Sequence, residues 1–254
     1  MKKKSKNKRA RLEEEEEDLE PELSENEDEE EEEEEITVFF DIEAMQLASN
    51  QEANLLVCET EEDDEPMVFK GPQCVVEFLE YLEELAADDT QKVTVIAHNF
   101  QGYDGYFVIN EYHGRNQLIQ QLRNGAKILQ LKHDSIRFID SVNFIAGKLS
   151  NFTKTFGLTE LKKGYFPHLF NRPENQDYVG EVPAMDYYMV ESMSPKDYKT
   201  FKEWHAKQRQ ENYVFDFQKE LEEYCISDVK LSRLVVCSFV SSSKEKPALI
   251  LSAR

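Results

Sequence analysis

Ile36-Thr37-Val38-Phe39-Phe40-Asp41-Ile42-Glu43 is the stretch on which the fold of this chain turns. An apolar, β-branched and aromatic run of this kind reads as a buried strand, and it closes on two carboxylates two residues apart. Period-two alternation puts Asp41 and Glu43 on the same face. Two acids at a strand's carboxyl end can share a divalent ion, although a lone D-x-E pair more often marks a solvated turn. Asn54 to Cys58 reads as the hairpin neighbour of this strand, and Met67 to Phe69 as a third.

Pro72 then opens a helix whose apolar face uses Val75, Val76, Phe78, Leu79, Leu82 and Leu85. Val93 to Ala97 is strand again, and Asp104 begins a helix through Phe107 and Val108. Ile128 to Leu131 and Ile136 to Ile139 are two further strands, and Phe152 to Phe156 a short helix. Between Gly164 and Pro195 the periodicity dissolves into aromatic, Pro and Asn residues, which predicts a long ordered loop or insertion. Ser194-Pro195 starts a helix with Pro at its first position, and a last long helix spans about Phe217 to Phe239. Strands first, then alternating helices, predict an α/β fold: a ribonuclease H-like mixed sheet flanked by helices.

The chain has 254 residues and a formal net charge of -22. Its first 35 residues hold 18 acids against seven bases, Lys2 to Arg11 being basic and Glu13 to Glu35 acidic. So polar a stretch cannot bury enough surface to offset its ordering entropy, so residues 1–35 are expected to be a disordered tail. The basic run fits a nuclear localisation signal or a solvated charge cluster. The remaining domain is still acidic, so no tight electrostatic grip on a duplex is expected.

No apolar stretch is long enough to span a bilayer, and the N-terminus lacks the apolar region of a secretory signal. The expectation is a soluble intracellular protein, nuclear or mitochondrial. Cys58, Cys74, Cys225 and Cys237 form no C-x-x-C pair and no zinc-ligand spacing, which reads as free buried thiols in a reducing compartment.

Two further segments carry chemistry. His98-Asn99-Phe100-Gln101-Gly102-Tyr103-Asp104-Gly105 follows a buried strand and opens a helix, making Asp104 a third carboxylate at a strand's end. An Asp there is commonly just a cap. Tyr224-Cys225-Ile226-Ser227-Asp228 puts a phenol and a carboxylate on one face of the last helix, a spacing that is chance-level in isolation.

As an ordered set, Asp41-Ile42-Glu43, Asn99 to Asp104 and Tyr224 to Asp228 resemble the three exonuclease motifs of family B DNA polymerases: D-x-E, N-x(2 or 3)-(F/Y)-D and Y-x-x-x-D. Asp140-Ser141, Leu149 to Gly157 and Leu161-Lys162-Lys163-Gly164-Tyr165-Phe166-Pro167-His168 are similar to the protein-primed branch of linear plasmids, adenoviruses and Maverick or Polinton elements. The likeness covers Ile36 to about Val240. It assigns residues 36–240 to a DEDDy-type 3′→5′ exonuclease domain and 241–254 to a short C-terminal tail.

The resemblance implies that Asp41, Glu43, Asp104 and Asp228 hold two Mg²⁺ or Mn²⁺ ions, hard cations suited to oxygen ligands. It also implies that Tyr224 orients the attacking water and that Lys163, or Lys162 beside it, assists at the scissile phosphate. Asn99, Phe100 and Tyr103 would hold the single-stranded 3′ end of DNA, although both rings also suit a core. Ala44 departs from the hydroxyl residue common after D-x-E, which puts one strand contact in doubt. A terminal priming protein is the further partner implied for a full-length polymerase.

No S-L-Y-P-like segment, K-x-x-x-N-S-x-Y-G or D-T-D follows Phe239. The expectation is therefore the exonuclease portion of a polymerase, without polymerase motifs of its own. Two other classes stay open: a catalytically idle DNA-binding or interaction protein on the same fold, and a free-standing DEDD exonuclease preferring RNA.

Overall fold

The structure, a computed structural model, describes residues 34–242 except 64, 89, 126, 148, 150–151 and 153–164. Residues 1–33 of the tail expected over 1–35, and most of the helix expected at Phe152 to Phe156, lie outside the described residues.

Strand β1 (Glu34–Gln46) is followed by β2 (Gln51–Thr60), β3 (Met67–Lys70), helix α1 (Cys74–Leu85), β4 (Gln91–Ala97) and α2 (Asp104–Gly114). Then come β5 (Gln120–Asn124), β6 (Lys127–His133) and β7 (Ile136–Asp140). A looped region with the two-residue β8 (Val179–Gly180) leads to α3 (Pro195–Gln210), β9 (Phe215–Asp216) and α4 (Phe217–Ser242). Seven strands form one mixed sheet in the order β3-β2-β1-β4-β7-β6-β5. The central β1 runs antiparallel to β2 and parallel to β4, and β4 runs parallel to β7. This is the mixed, helix-flanked sheet that the sequence predicts.

The alternation along β1 sorts its residues between two cores. Val38, Phe40 and Ile42 pack with Phe78, Leu79 and Leu82 of α1 and with Val108 and Tyr112 of α2. Phe39 points the other way, into a cluster with Leu221, Cys225 and Val229 of α4. Asp41 and Glu43 share the parity of Phe39, so the long C-terminal helix covers their face.

The element boundaries differ from the sequence reading most clearly at β1 and β5, whereas the region after Gly164 is the ordered loop expected. β1 begins at Glu34, inside the stretch expected to be tail, because Glu35 finds an ion-pair partner in Arg137 at 3.0 Å on β7. β5 goes unanticipated: it is a polar edge strand, mostly exposed, and carries no apolar period to read. The region after Gly164 is ordered by short 3-10 turns at His168–Phe170, Pro173–Asn175, Met185–Tyr188 and Val190–Ser192. Their anchors are aromatic: Phe166, Phe170 and Tyr188 are buried in the α4-side core. Ser194 caps α3 as expected, its hydroxyl accepting from the Asp197 N–H at 3.2 Å with Pro195 in the first turn.

Candidate active site

β1 outruns its parallel neighbour. Its pairing with β4 stops at Phe39 opposite Ile96, and the chain then leaves β4 through the turn at His98 to Gly102. The N–H of Ile42 therefore lies beyond the ladder, and Asp104 accepts it through Oδ1 at 3.1 Å. Asp104 is the first residue of α2 and is almost wholly buried. Desolvation pushes its carboxyl up to about 8, with Glu43 and Asp140 adding like charge and two backbone N–H groups opposing.

The turn that delivers Asp104 is built on Asp140, at the carboxyl end of β7 and fully buried. Its two oxygens accept from the N–H groups of Asn99, Gln101 and Val142, each at 2.9 Å. Asn99 takes the left-handed conformation, φ 71°, and His98 is fixed by Ser141 Oγ at 2.8 Å and the Gly147 carbonyl at 3.0 Å. Gly105 is required by close approach: a Cβ there would stand 2.7 Å from the Phe100 carbonyl oxygen.

From the opposite side α4 brings Tyr224, Cys225 and Asp228. The Cys225 thiol donates toward Asp41, to its carbonyl oxygen at 3.5 Å and to Oδ2 at 3.6 Å. Burial pushes the Tyr224 phenol far above its ordinary value; the charges of Asp228, Glu43 and Asp41 and a hydrogen bond with Asp228 add to the effect. It remains a neutral phenol, able to donate. Tyr103 is held neutral in the same way, first by burial and then by Glu43, Asp104 and Asp41.

These groups share one cavity of about 690 Å³. Asp41, Glu43, Asp104 and Asp228 line it together with Tyr224, Asn99 and Tyr103. Of the residues singled out from the sequence, seven therefore meet at one site. Phe100 is the correction: it is fully buried beneath the sheet, stacked on Phe138 at 5.7 Å and edge-on to Phe40, so no face is left for a nucleobase. The 3-10 turn that follows Asn99 tucks its first side chain inward. Lys163 and Lys162 lie outside the described residues.

Three residues of the site had no role assigned from the sequence. Asp140 is one, because its function is to organise backbone groups about forty positions upstream. Cys225 is another. His168 is the third: its Nδ1 stands 3.6 Å from Glu43 Oε2, and its ring meets Tyr224 edge-on at 5.2 Å. The turn carrying it is fastened by a buried amide cluster. Asn54, which a register irregularity between β1 and β2 leaves without a partner opposite Glu43 and Ala44, exchanges hydrogen bonds with Asn171 at 3.0 and 3.1 Å and reaches Gln176 at 3.0 Å. The Asn171 carbonyl in turn accepts from Gln46 N–H at 2.7 Å, at the end of β1.

The donor set of the cavity is oxygen-rich and anionic, which suits a hard divalent cation. Among the described residues, no three His, Cys, Asp or Glu side chains stand close enough together to form a metal-holding group. Nor is any helix of the described residues long and apolar enough to cross a membrane.

Known proteins of similar sequence and fold are DNA polymerases. The family described as DNA polymerase type B, organellar and viral, matches residues 89–247. A DNA polymerase of Kluyveromyces lactis is 28% identical over 203 residues, which make up 73% of this chain and 18% of that protein. A probable DNA polymerase of Neurospora intermedia is 28% identical over 164 residues, or 60% of this chain and 16% of that one. This chain thus spans less than a fifth of the length of either relative. Among solved structures, Phi29 DNA polymerase complexed with primer-template DNA superimposes with a TM-score of 0.52 at 12% identity, covering 84% of this chain and 33% of that one. The same polymerase complexed with single-stranded DNA gives 0.51 over 83% and 33%.

Proposed function

Since this chain belongs to the type B DNA polymerases of organelles and viruses, we propose that residues 36–240 form a 3′→5′ exonuclease domain that removes 3′-terminal nucleotides from DNA. One observation carries the reading: Asp41, Glu43, Asp104 and Asp228 line a single cavity with Tyr224. They reach it from a strand end, a helix start and a second helix, each placed by local structure.

The four carboxylates would hold a pair of Mg²⁺ or Mn²⁺ ions, which supply Lewis-acid stabilisation of the scissile phosphate and of the departing 3′ oxygen. Asp104 keeps Oδ1 committed to Ile42 N–H, which leaves Oδ2 as the oxygen it would offer a cation. Tyr224, kept protonated by burial and then by the charges of Asp228, Glu43 and Asp41, donates a hydrogen bond that orients a water for attack. Asn99 and Tyr103 flank the carboxylates and hold the terminal nucleotide by hydrogen bonding and stacking. Lys163, or Lys162, assists at the phosphate as the family resemblance implies. Nucleotide addition is not proposed for this chain but for the longer polymerases it resembles, and a terminal priming protein would be met only through such a full-length polymerase.

A DNA-binding protein without turnover on the same fold is the second reading. Single-stranded DNA labelled at its 5′ end separates the two. Progressive shortening with Mg²⁺ or Mn²⁺, suppressed by a chelator, is expected of the exonuclease. Binding with no shortening under either metal would leave the second.

A further inference from the structure

One local contrast with the chain's net charge of -22 is on helix α3, Pro-Lys-Asp-Tyr-Lys-Thr-Phe-Lys-Glu-Trp-His-Ala-Lys-Gln-Arg-Gln. Five cations, Lys196, Lys199, Lys202, Lys207 and Arg209, stand against two carboxylates, Asp197 and Glu203. The helix is seated by one narrow stripe. Phe201 is fully buried, and His205 Nε2 lies 2.8 Å from the Pro183 carbonyl. Trp204 packs on Tyr165 and Tyr188. At 100° per residue the five cations fall within a sector of roughly 160° that excludes Phe201 and His205, and Glu203 is the one helical carboxylate inside it.

Among the described residues, three of the five cations of this sector make no ion pair with the protein. Lys207 and Arg209 make loose, exposed pairs with Glu211 at 3.8 Å and Glu181 at 3.4 Å. Among the described residues Lys196, Lys199 and Lys202 pair with no carboxylate. Like charges three residues apart disfavour a helix by a few tenths of a kcal/mol per pair, and lysines in its first turns oppose the helix dipole. Among the described residues no carboxylate neutralises Lys196, Lys199 or Lys202.

The position of the helix bears on the use of its row. Tyr188 contacts Phe201 at 5.0 Å, and the next residue, Met189, lines the carboxylate cavity. The helix therefore rests on the turn that forms one wall of that cavity. We propose that the exposed face of α3 is a track for the phosphate backbone of the DNA strand whose 3′ end enters the cavity, with Lys196, Lys199 and Lys202 as its contacts. Lysines act there as point charges and read no sequence. The inference rests on the exonuclease reading for the direction of the strand, but the contact itself is a binding property.

The test measures binding of a 5′-fluorescein-labelled oligothymidylate 20-mer by anisotropy, in chelator, across a series of NaCl concentrations. Each phosphate contact in a single strand contributes about 0.7 to the slope of log K against log salt. The triple variant Lys196→Gln/Lys199→Gln/Lys202→Gln should thus flatten the slope by about 2 at an unchanged melting temperature, and the triple Lys→Arg variant should keep it. An unchanged slope in the Gln variant overturns the inference, and so does lysine-dependent binding of an oligoglutamate peptide with none of DNA. Should the slope fall as expected while the wild type trims no DNA under any metal, the track stands and the exonuclease reading fails. Trimming with an unaltered slope would do the reverse, keeping the exonuclease and removing the track.

Discussion

The Oδ1 atom of Asp104 accepts the N–H of Ile42 at 3.1 Å, so a carboxylate from the start of α2 is bonded into the backbone between Asp41 and Glu43. This one contact ties the helix to the strand that carries the other two acids. It fixes their spacing before any ligand enters, and it buries a carboxylate whose proton is held up to about 8.

That proton sets a pH dependence. The group's value in the fold lies above its ordinary 3.8, so between the two the folded state binds more protons than the unfolded chain. Stability then falls as pH rises through that window, by at most about 1.4 kcal/mol per unit. Thermal unfolding in chelator from pH 5 to 8.5 should show a falling midpoint, and Asp104→Asn should flatten it. A wild-type midpoint that rises over this range would count against the assignment.

Removal of the β1 carboxylates tests the chemistry. Asp41→Ala/Glu43→Ala should lower 3′ trimming by on the order of a thousandfold or more while leaving a folded protein. Residual activity within tenfold of wild type would place the reaction elsewhere.

On α4, Tyr224→Phe should cost less than Asp228→Ala, because orienting water contributes less than holding the cation. A loss of roughly tenfold to a hundredfold is expected for the phenol. Equal losses in single-turnover rates would instead make Tyr224 structural.

Asp140 is predicted to act at a distance from the strand. Asp140→Ala strips the acceptor from three backbone N–H groups, a loss of about 3 kcal/mol or more. In a domain of this size the melting temperature should drop by about 6 to 12 °C. Trimming should suffer as well, since Asn99, Tyr103 and Asp104 all follow the turn it holds. A variant that melts like wild type would show that the turn holds itself.

How much of this could be read from the chain alone depended on the distance over which each residue acts. Asp41 and Glu43 were legible because two-residue alternation is a local rule, and the helical spacing of Tyr224 and Asp228 is equally local. Phe100 was misassigned because the Asn99 turn, φ 71°, decides which aromatic points inward, and no periodicity encodes that. Asp140 and His168 were missed since their partners lie on other elements: Asp140 serves a loop from β4, and His168 approaches Glu43 from a looped region with no pattern. The strands of the large sheet were visible as apolar runs, except for polar β5.

The buried amides behind the cavity carry a consequence for its chemistry. Asn54, Asn171 and Gln176 fasten the wall bearing His168 with neutral side chains, adjacent to a group of acids whose protonation and cation content would vary in the proposed reaction. A clamp of ion pairs would loosen or tighten with each such change and would compete for the same cations. Carboxamides neither titrate nor draw hard cations away from carboxylates, so the wall keeps one shape while the charge in front of it changes.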